Sequence, residues 1–292
     1  MQEIKLDFIG IGAPRTGTTH LSTLLAEHPE ICFSSRKELH YFNFDHIYSQ
    51  GQTYLAKYFN HCPAGKIKGE WSTDYLYSPA AAQRIKEHNP NVKLLICLRE
   101  PVERAYSHFL LQKYSASIMP FQSFRQAVTG HDKYNYLKLG FYSQPLRYYL
   151  SLFPRQNILI LIYEEVVNNP EQAIGAIYEF LGVAKNFRPP SLNKNIDYRG
   201  RKKFYSLTIA AIVNKLIIYY KHSRFKTVLQ HLQTRRLLRW LKKVNRRQVQ
   251  QKFSKPAISQ ETAHELKRLY QSEIATVEKI IDRPLPIWKK LS

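Results

Sequence analysis

The run Ile9-Gly10-Ile11-Gly12-Ala13-Pro14-Arg15-Thr16-Gly17-Thr18-Thr19-His20-Leu21 constrains this chain more than any other stretch. It reads as a short apolar strand, a turn bracketed by two glycines, and a helix whose first turn is rich in threonine. Such a turn aims several backbone N–H groups and a helix N-terminus at one point, which suits a phosphate or another tetrahedral oxyanion. The spacing Gly12-x4-Gly17 is that of a P-loop, yet the Walker pattern continues with Lys and then Ser or Thr. Here Gly17 is followed by Thr18-Thr19, and the loop's only cation is Arg15. An ordinary strand-to-helix turn has the same outline, so the other strand ends must decide between the two readings.

Those ends are legible from the pattern. Helices are expected over Thr18 to Glu27, Tyr54 to Phe59, Ala80 to His88, Phe121 to Val128, Tyr142 to Phe153 and Pro170 to Leu181, with Gly182 as a C-cap. Strands are expected at Ile31 to Phe33, Lys66 to Trp71, Val92 to Leu98 and Asn157 to Ile162. Strands alternating with helices predict an α/β fold, a doubly wound and mainly parallel sheet, with ligands at the carboxyl ends of its strands. Arg15, Glu38, Arg99 and Ser107 all fall there. The tip of the Val92–Leu98 strand is informative, because P-loop kinases place a magnesium-binding Asp at the matching point and this chain places Arg99. An arginine at that tip is suited to a second anion.

The character changes after Arg188-Pro189-Pro190. Residues 199 to 253 contain sixteen Lys or Arg and no Asp or Glu, out of a net charge of +22 for the 292-residue chain. Anionic partners such as a glycan or a membrane surface fit this segment, as does a merely solvated helical face. Amphipathic helices are expected at Leu207 to Tyr220, Phe225 to Lys243 and Thr262 to Ile281, the last with Leu266, Leu269, Val277 and Ile280 inward. The expected organisation is one domain, with an α/β core at 1–190, a basic segment at 191–255 and a closing helix and tail at 256–292. Cys32, Cys62 and Cys97 are odd in number and widely spaced, so neither a disulfide framework nor a metal site is expected. Met1 to Lys5 lead almost directly into the first strand, and a reducing cytoplasm is the expected location.

Three motifs together resemble the sulfotransferases that use 3′-phosphoadenosine 5′-phosphosulfate (PAPS). The chain is similar in particular to the heparan sulfate glucosaminyl sulfotransferases and their soluble bacterial relatives. The 5′-phosphosulfate loop of that family is matched by Gly12-Ala13-Pro14-Arg15-Thr16-Gly17-Thr18-Thr19. Its 3′-phosphate motif is matched by Leu98-Arg99-Glu100-Pro101-Val102-Glu103-Arg104-Ala105-Tyr106-Ser107. Its catalytic-glutamate segment is matched by Lys37-Glu38-Leu39-His40-Tyr41-Phe42. There are two departures: many relatives have Lys at Arg15, and the heparan enzymes carry a second lysine where this chain has Trp71.

The resemblance implies PAPS as sulfuryl donor, adenosine 3′,5′-bisphosphate as its product, and no metal. It gives Arg15, Thr16, Gly17, Thr18 and Thr19 to the 5′-phosphosulfate, Arg99 and Ser107 to the 3′-phosphate, and Glu38 the role of general base. Arg199 and Arg201 are expected to close over the nucleotide, and His40, Tyr41, Trp71 and Tyr75 to line the acceptor. The acceptor is a glycan, a lipid or a small natural product, and no specific nucleic acid is expected. Simpler readings stand beside these: Glu38 paired with Lys37, and Arg99 paired with Glu103 or Glu164. A P-loop kinase and a non-enzymatic anion or nucleic-acid binding module are the alternatives for the whole chain.

Overall fold

Five parallel strands form one sheet: β1 (Phe8–Gly12), β2 (Ile31–Phe33), β3 (Ile67–Trp71), β4 (Lys93–Leu98) and β5 (Ile158–Ile162), in the order β2-β3-β1-β4-β5. This is a computed structural model, and it describes residues 3–115, 123–129, 135–194, 202–204, 246–248 and 256–289. β1 is wholly buried between β3 and β4, as expected of an apolar run in the middle of a parallel sheet. β3 and β2 lie on one side of β1, and β4 and β5 on the other, so the connections diverge at β1 and its carboxyl end is a topological switch point.

The helices follow the expected periodicity closely. They are α1 (Thr18–Ala26), α2 (Asp45–Tyr48), α3 (Gln52–Phe59), α4 (Pro79–His88), α5 (Pro101–Ser115), α6 (Phe124–Thr129), α7 (Ser143–Leu152), α8 (Tyr163–Asn168) and α9 (Pro170–Leu181). α9 ends at Gly182 with φ 80°, a left-handed cap that satisfies the last carbonyls of the helix. Leu21, Leu24 and Leu25 of α1 and Ile174, Ile177, Tyr178 and Leu181 of α9 pack with Phe8, Trp71, Leu95 and Cys97 of the sheet as one core.

The C-terminal helix, Gln260–Ile281, corrects the expected face. Leu266, Tyr270, Ile274, Val277 and Ile281 are buried, whereas Leu269 is 45% exposed. Glu273 is buried on the inner face because its carboxylate accepts the Ser143 backbone N–H at 2.6 Å and the Ser143 hydroxyl at 2.8 Å, satisfying the start of α7. Beyond it, Trp288 is buried and donates its Nε1–H to Glu164 at 3.0 Å.

The cysteines require a second correction. Cys32 on β2 and Cys62 just past α3 form a disulfide with Cα atoms 5.6 Å apart. A sequence separation of 30 hid this pairing, which is closed where the chain after β2 meets α3, the Ser35 N–H donating to the Tyr58 carbonyl at 3.0 Å. Cys97 is free and buried.

The chain divides into two compact units, the first of Met1–Ala105, Tyr134–Ile196 and Gln260–Ser292, the second of Tyr106–Lys133 and Asp197–Ser259. In the second, Tyr106, Phe109 and Phe124 form an aromatic cluster with centroids 5.0 to 6.3 Å apart. Lys202–Phe204 also pairs antiparallel with Arg246–Gln248, two short strands in a segment expected to be loop and helix. The helices expected at 207–220 and 225–243 lie outside the described residues. Among the described residues, no helix is long and apolar enough to cross a membrane.

Candidate active site

The glycine-bracketed loop is pinned from both sides. The Ala13 N–H donates to the Cys97 carbonyl at 2.9 Å, the Thr16 hydroxyl to the Ala13 carbonyl at 2.8 Å, and the Cys97 thiol to the Thr16 carbonyl at 3.1 Å. Burial pushes the Cys97 thiol far above its ordinary range, so it is an inert donor here. Gly17 caps α1 with φ 77°, a conformation that favours glycine, and a Cβ there would lie 2.9 Å from the Tyr163 ring. No side chain caps α1. The first-turn N–H groups of a helix have no intrahelical partner, so the α1 N-terminus is suited to an anion. Thr18 is buried and Thr19 exposed at this end.

β2 delivers Lys37 and Glu38 to the same end of the sheet. Glu38 Oε2 accepts the Thr73 backbone N–H at 2.6 Å and the Thr73 hydroxyl at 3.2 Å, just past the tip of β3. Its Oε1 accepts a charge-assisted bond from Lys37 Nζ. The same Nζ donates to Thr18 Oγ1 at 3.4 Å, so one ammonium joins the first turn of α1 to the carboxylate. The expected alternative of a Lys37–Glu38 pair is therefore present, inside the site. Close by, Glu70 of β3 is wholly buried and accepts the Ser72 hydroxyl at 2.9 Å. Burial, opposed less strongly by bonds from Tyr75 and Ser72 and helped by the Glu38 charge, raises its carboxyl to about 8.

β4 delivers Arg99. Its Nη1 donates to the Arg15 carbonyl at 3.3 Å, its Nη2 to Glu103 at 3.1 Å, and its guanidinium lies 4.5 Å from the centroid of the Tyr163 ring. Its Nε is buried and has no hydrogen-bond partner among the described residues. A buried, unused donor on a held guanidinium fits an anion that completes the set. Glu164 does not pair with Arg99; it accepts the Glu100 N–H at 3.0 Å and the Trp288 Nε1–H. Ser107 is buried on α5, in the second unit. Arg199 and Arg201 lie outside the described residues.

The expected acceptor residues separate into two groups. His40, with φ 55°, is partly exposed; its ring is 4.9 Å from that of Phe44, which is 41% exposed. Trp71 and Tyr75, by contrast, have no exposed surface, and Tyr41 has little. Trp71 fills the space left by Gly10, where a Cβ would overlap the indole at 2.0 Å. Trp71 is thus core in this structure, and the position at which the resemblance implies a lysine presents no cation. Tyr75 is likewise internal, bonded through its oxygen to the Phe42 N–H at 3.4 Å.

Sequence reasoning missed Lys37 as a site residue, Thr73 as the partner of Glu38, and Tyr163 as the ring between Gly17 and Arg99. Lys37 had a signal in its adjacency to Glu38. Thr73 and Tyr163 had one only in following the ends of β3 and β5.

Comparison with known proteins adds three findings. The sulfotransferase domain family matches residues 5–279. Human heparan sulfate glucosamine 3-O-sulfotransferase 6 is 27% identical over 181 residues, covering 60% of this chain and 52% of the relative. The membrane-associated sulfotransferase kil1 of Dictyostelium discoideum is 24% identical, covering 61% and 56%. The chain therefore spans about half the length of the curated relatives it matches. A crystal structure of a sulfotransferase from Alicyclobacillus acidocaldarius shares the fold, with a TM-score of 0.71 at 20% identity over 98% of this chain and 100% of that one.

Proposed function

This chain belongs to the sulfotransferase domain family, and we propose that it moves a sulfuryl group from PAPS to a hydroxyl or amine of an acceptor, with Glu38 as general base. The observation that carries this reading is Arg99: a strand-tip guanidinium, held by the loop carbonyl of Arg15 and the Tyr163 ring, with a buried Nε unused. A magnesium-dependent kinase needs an acid at that tip, so the kinase alternative fits these residues poorly.

When bound, PAPS supplies a sulfuryl group on a phosphate leaving group. Arg15, the N–H groups at the start of α1 and the hydroxyls of Thr16, Thr18 and Thr19 hold the 5′-phosphosulfate in this reading. Arg99 takes the 3′-phosphate in this reading. Glu38 is oriented by two bonds from Thr73, which leave its Oε1 to face Lys37. From that position it removes the acceptor proton as the new bond to sulfur forms. Positioned cations and N–H donors supply the charge stabilisation that the transfer needs. His40 and the exposed Phe44 are the described residues best placed to meet an acceptor. The relative named for heparan sulfate makes a glycan one candidate, beside a lipid or a small natural product. The cytoplasmic location remains a proposal, and the Cys32–Cys62 disulfide argues for testing it.

Calorimetry tests the donor half. Adenosine 3′,5′-bisphosphate is expected to bind at least about tenfold more tightly than ADP or AMP, since one added charge-assisted bond gives that factor. Equal affinities would refute PAPS as the donor. Labelled PAPS offered with glycan, lipid and phenolic acceptors then identifies the acceptor class. On that acceptor Glu38→Gln is expected to abolish turnover without weakening nucleotide binding, and retained turnover removes Glu38 from the base role.

A further inference from the structure

We propose that Lys37 is a catalytic residue: it supplies at the sulfuryl-bearing phosphate the ammonium that the loop and β3 both lack, and it releases Glu38 as it does so. This rests on the donor reading above and concerns a residue that reading does not use.

The loop itself carries one cation, Arg15, with φ 72°. The tip of β3 carries Trp71 and no cation, and its ring is sealed in the core. Lys37 enters from β2 instead. Its side chain is 18% exposed, and its Nζ stands between the first turn of α1, 3.4 Å from Thr18 Oγ1, and Glu38 Oε1. The transferring group must lie between the phosphate held at the α1 N-terminus and the acceptor oxygen or nitrogen deprotonated by Glu38. Lys37 Nζ bridges those two points.

The pairing also has a chemical cost that the proposal removes. Thr73 occupies Oε2 of Glu38 and the ammonium occupies Oε1, so the carboxylate oxygen that would meet the acceptor is covered until Nζ has another anion to serve. A phosphate at the α1 N-terminus is such an anion, and the flexible four-carbon stem of lysine lets Nζ turn to it without backbone movement. In the transfer, the bond between sulfur and the bridging phosphate oxygen breaks and the bond between sulfur and the acceptor atom forms. The acceptor proton passes to Glu38, and the negative charge left on the phosphate oxygen of adenosine 3′,5′-bisphosphate is met by Lys37. The carboxylate thus becomes available when the donor is in place.

Calorimetry on Lys37→Met, which keeps the apolar stem, tests this without turnover. The wild-type chain and the variant are each titrated with adenosine 3′,5′-bisphosphate and with adenosine 3′-monophosphate, which lacks the 5′-phosphate. The variant is expected to lose about ten- to a hundredfold in affinity for the bisphosphate, the value of a charge-assisted bond, and to bind the monophosphate as the wild type does. Lys37→Arg is expected to recover part of the loss. Equal loss for both ligands means that Lys37 only shapes the site, and no loss for either means that it does not meet the 5′-phosphate; each result overturns the proposal. Failure of the wild type itself to prefer the bisphosphate refutes the donor reading instead. Thermal unfolding of the variant within about 2 °C of wild type, the shift that a change of about 1 kcal/mol gives in a chain of this size, shows that the fold is intact.

Discussion

Replacing Glu70 by Gln tests the electrostatics beneath the proposed base. Glu70 is wholly buried on β3, and its carboxyl is raised from 4.5 to about 8. Between those values it is protonated in the folded chain and ionised in the unfolded one. The folded state then holds the extra proton, so stability falls as pH rises through the interval. Integrating the linkage from pH 5 to pH 8 gives a loss of about 3 kcal/mol attributable to this one group. Glutamine keeps the shape and can still accept the Ser72 hydroxyl, and any penalty for its second polar atom, about 1–3 kcal/mol, is independent of pH. The stability of Glu70→Gln relative to wild type is therefore expected to improve by about 3 kcal/mol from pH 5 to pH 8, whatever its value at pH 5. Urea denaturation followed by tryptophan fluorescence at four pH values in that range measures this difference. Parallel curves, with a constant offset between variant and wild type, would refute the argument. They would mean that Glu70 ionises in the folded state as it does in water.

Other substitutions report on packing and on the disulfide. Gly10→Ala places a methyl group against the Trp71 ring and is expected to destabilise the first unit by about 1–3 kcal/mol. Trp71→Leu is expected to reduce that cost in the double variant, and purely additive losses in chemical denaturation would show that the two residues are not in contact. Cys32→Ser is expected to lower stability by about 3–4 kcal/mol, from opening a loop closed over thirty residues in the unfolded chain. Thiol titration of the unfolded, unreduced wild type is expected to find only Cys97, and three thiols after reduction.

Most of the sheet was legible because its strands are buried on both faces and read as apolar runs ended by turns. α8 was missed because Tyr163 begins it directly after Ile162, with no glycine or proline to mark where the strand stops. The inner face of the C-terminal helix was right at Leu266 and Val277 and misplaced in part because Leu269 and Ile280 look apolar, while Glu273 looks exposed. Its burial depends on Ser143, 130 residues earlier. Trp71 illustrates the same limit. An aromatic residue at the end of a strand resembles a pocket wall until the missing Cβ of Gly10, on the adjacent strand, shows where the ring goes. In each case the deciding partner is distant in sequence and near in space. The readings at Arg199, Arg201 and the two basic helices fall outside the described residues.

The candidate site draws on all five strand ends: the Arg15–Gly17 loop from β1, Lys37 and Glu38 from β2, Thr73 from β3, Arg99 from β4 and Tyr163 from β5. This distribution explains how its cations are held without being fully neutralised. Arg99 is fixed by a carbonyl and an aromatic face as well as by Glu103, and these neutral contacts orient the guanidinium while leaving its charge in place. Lys37 is fixed by a hydroxyl on one side and by the base on the other. Of its two contacts, only the one to Glu38 consumes charge, and that one is the contact a phosphate at α1 competes for. A site built from full ion pairs would resist an incoming anion, because each pair would have to break first. In the proposed mechanism a single pair changes partners, and the carboxylate it leaves behind is the proposed base.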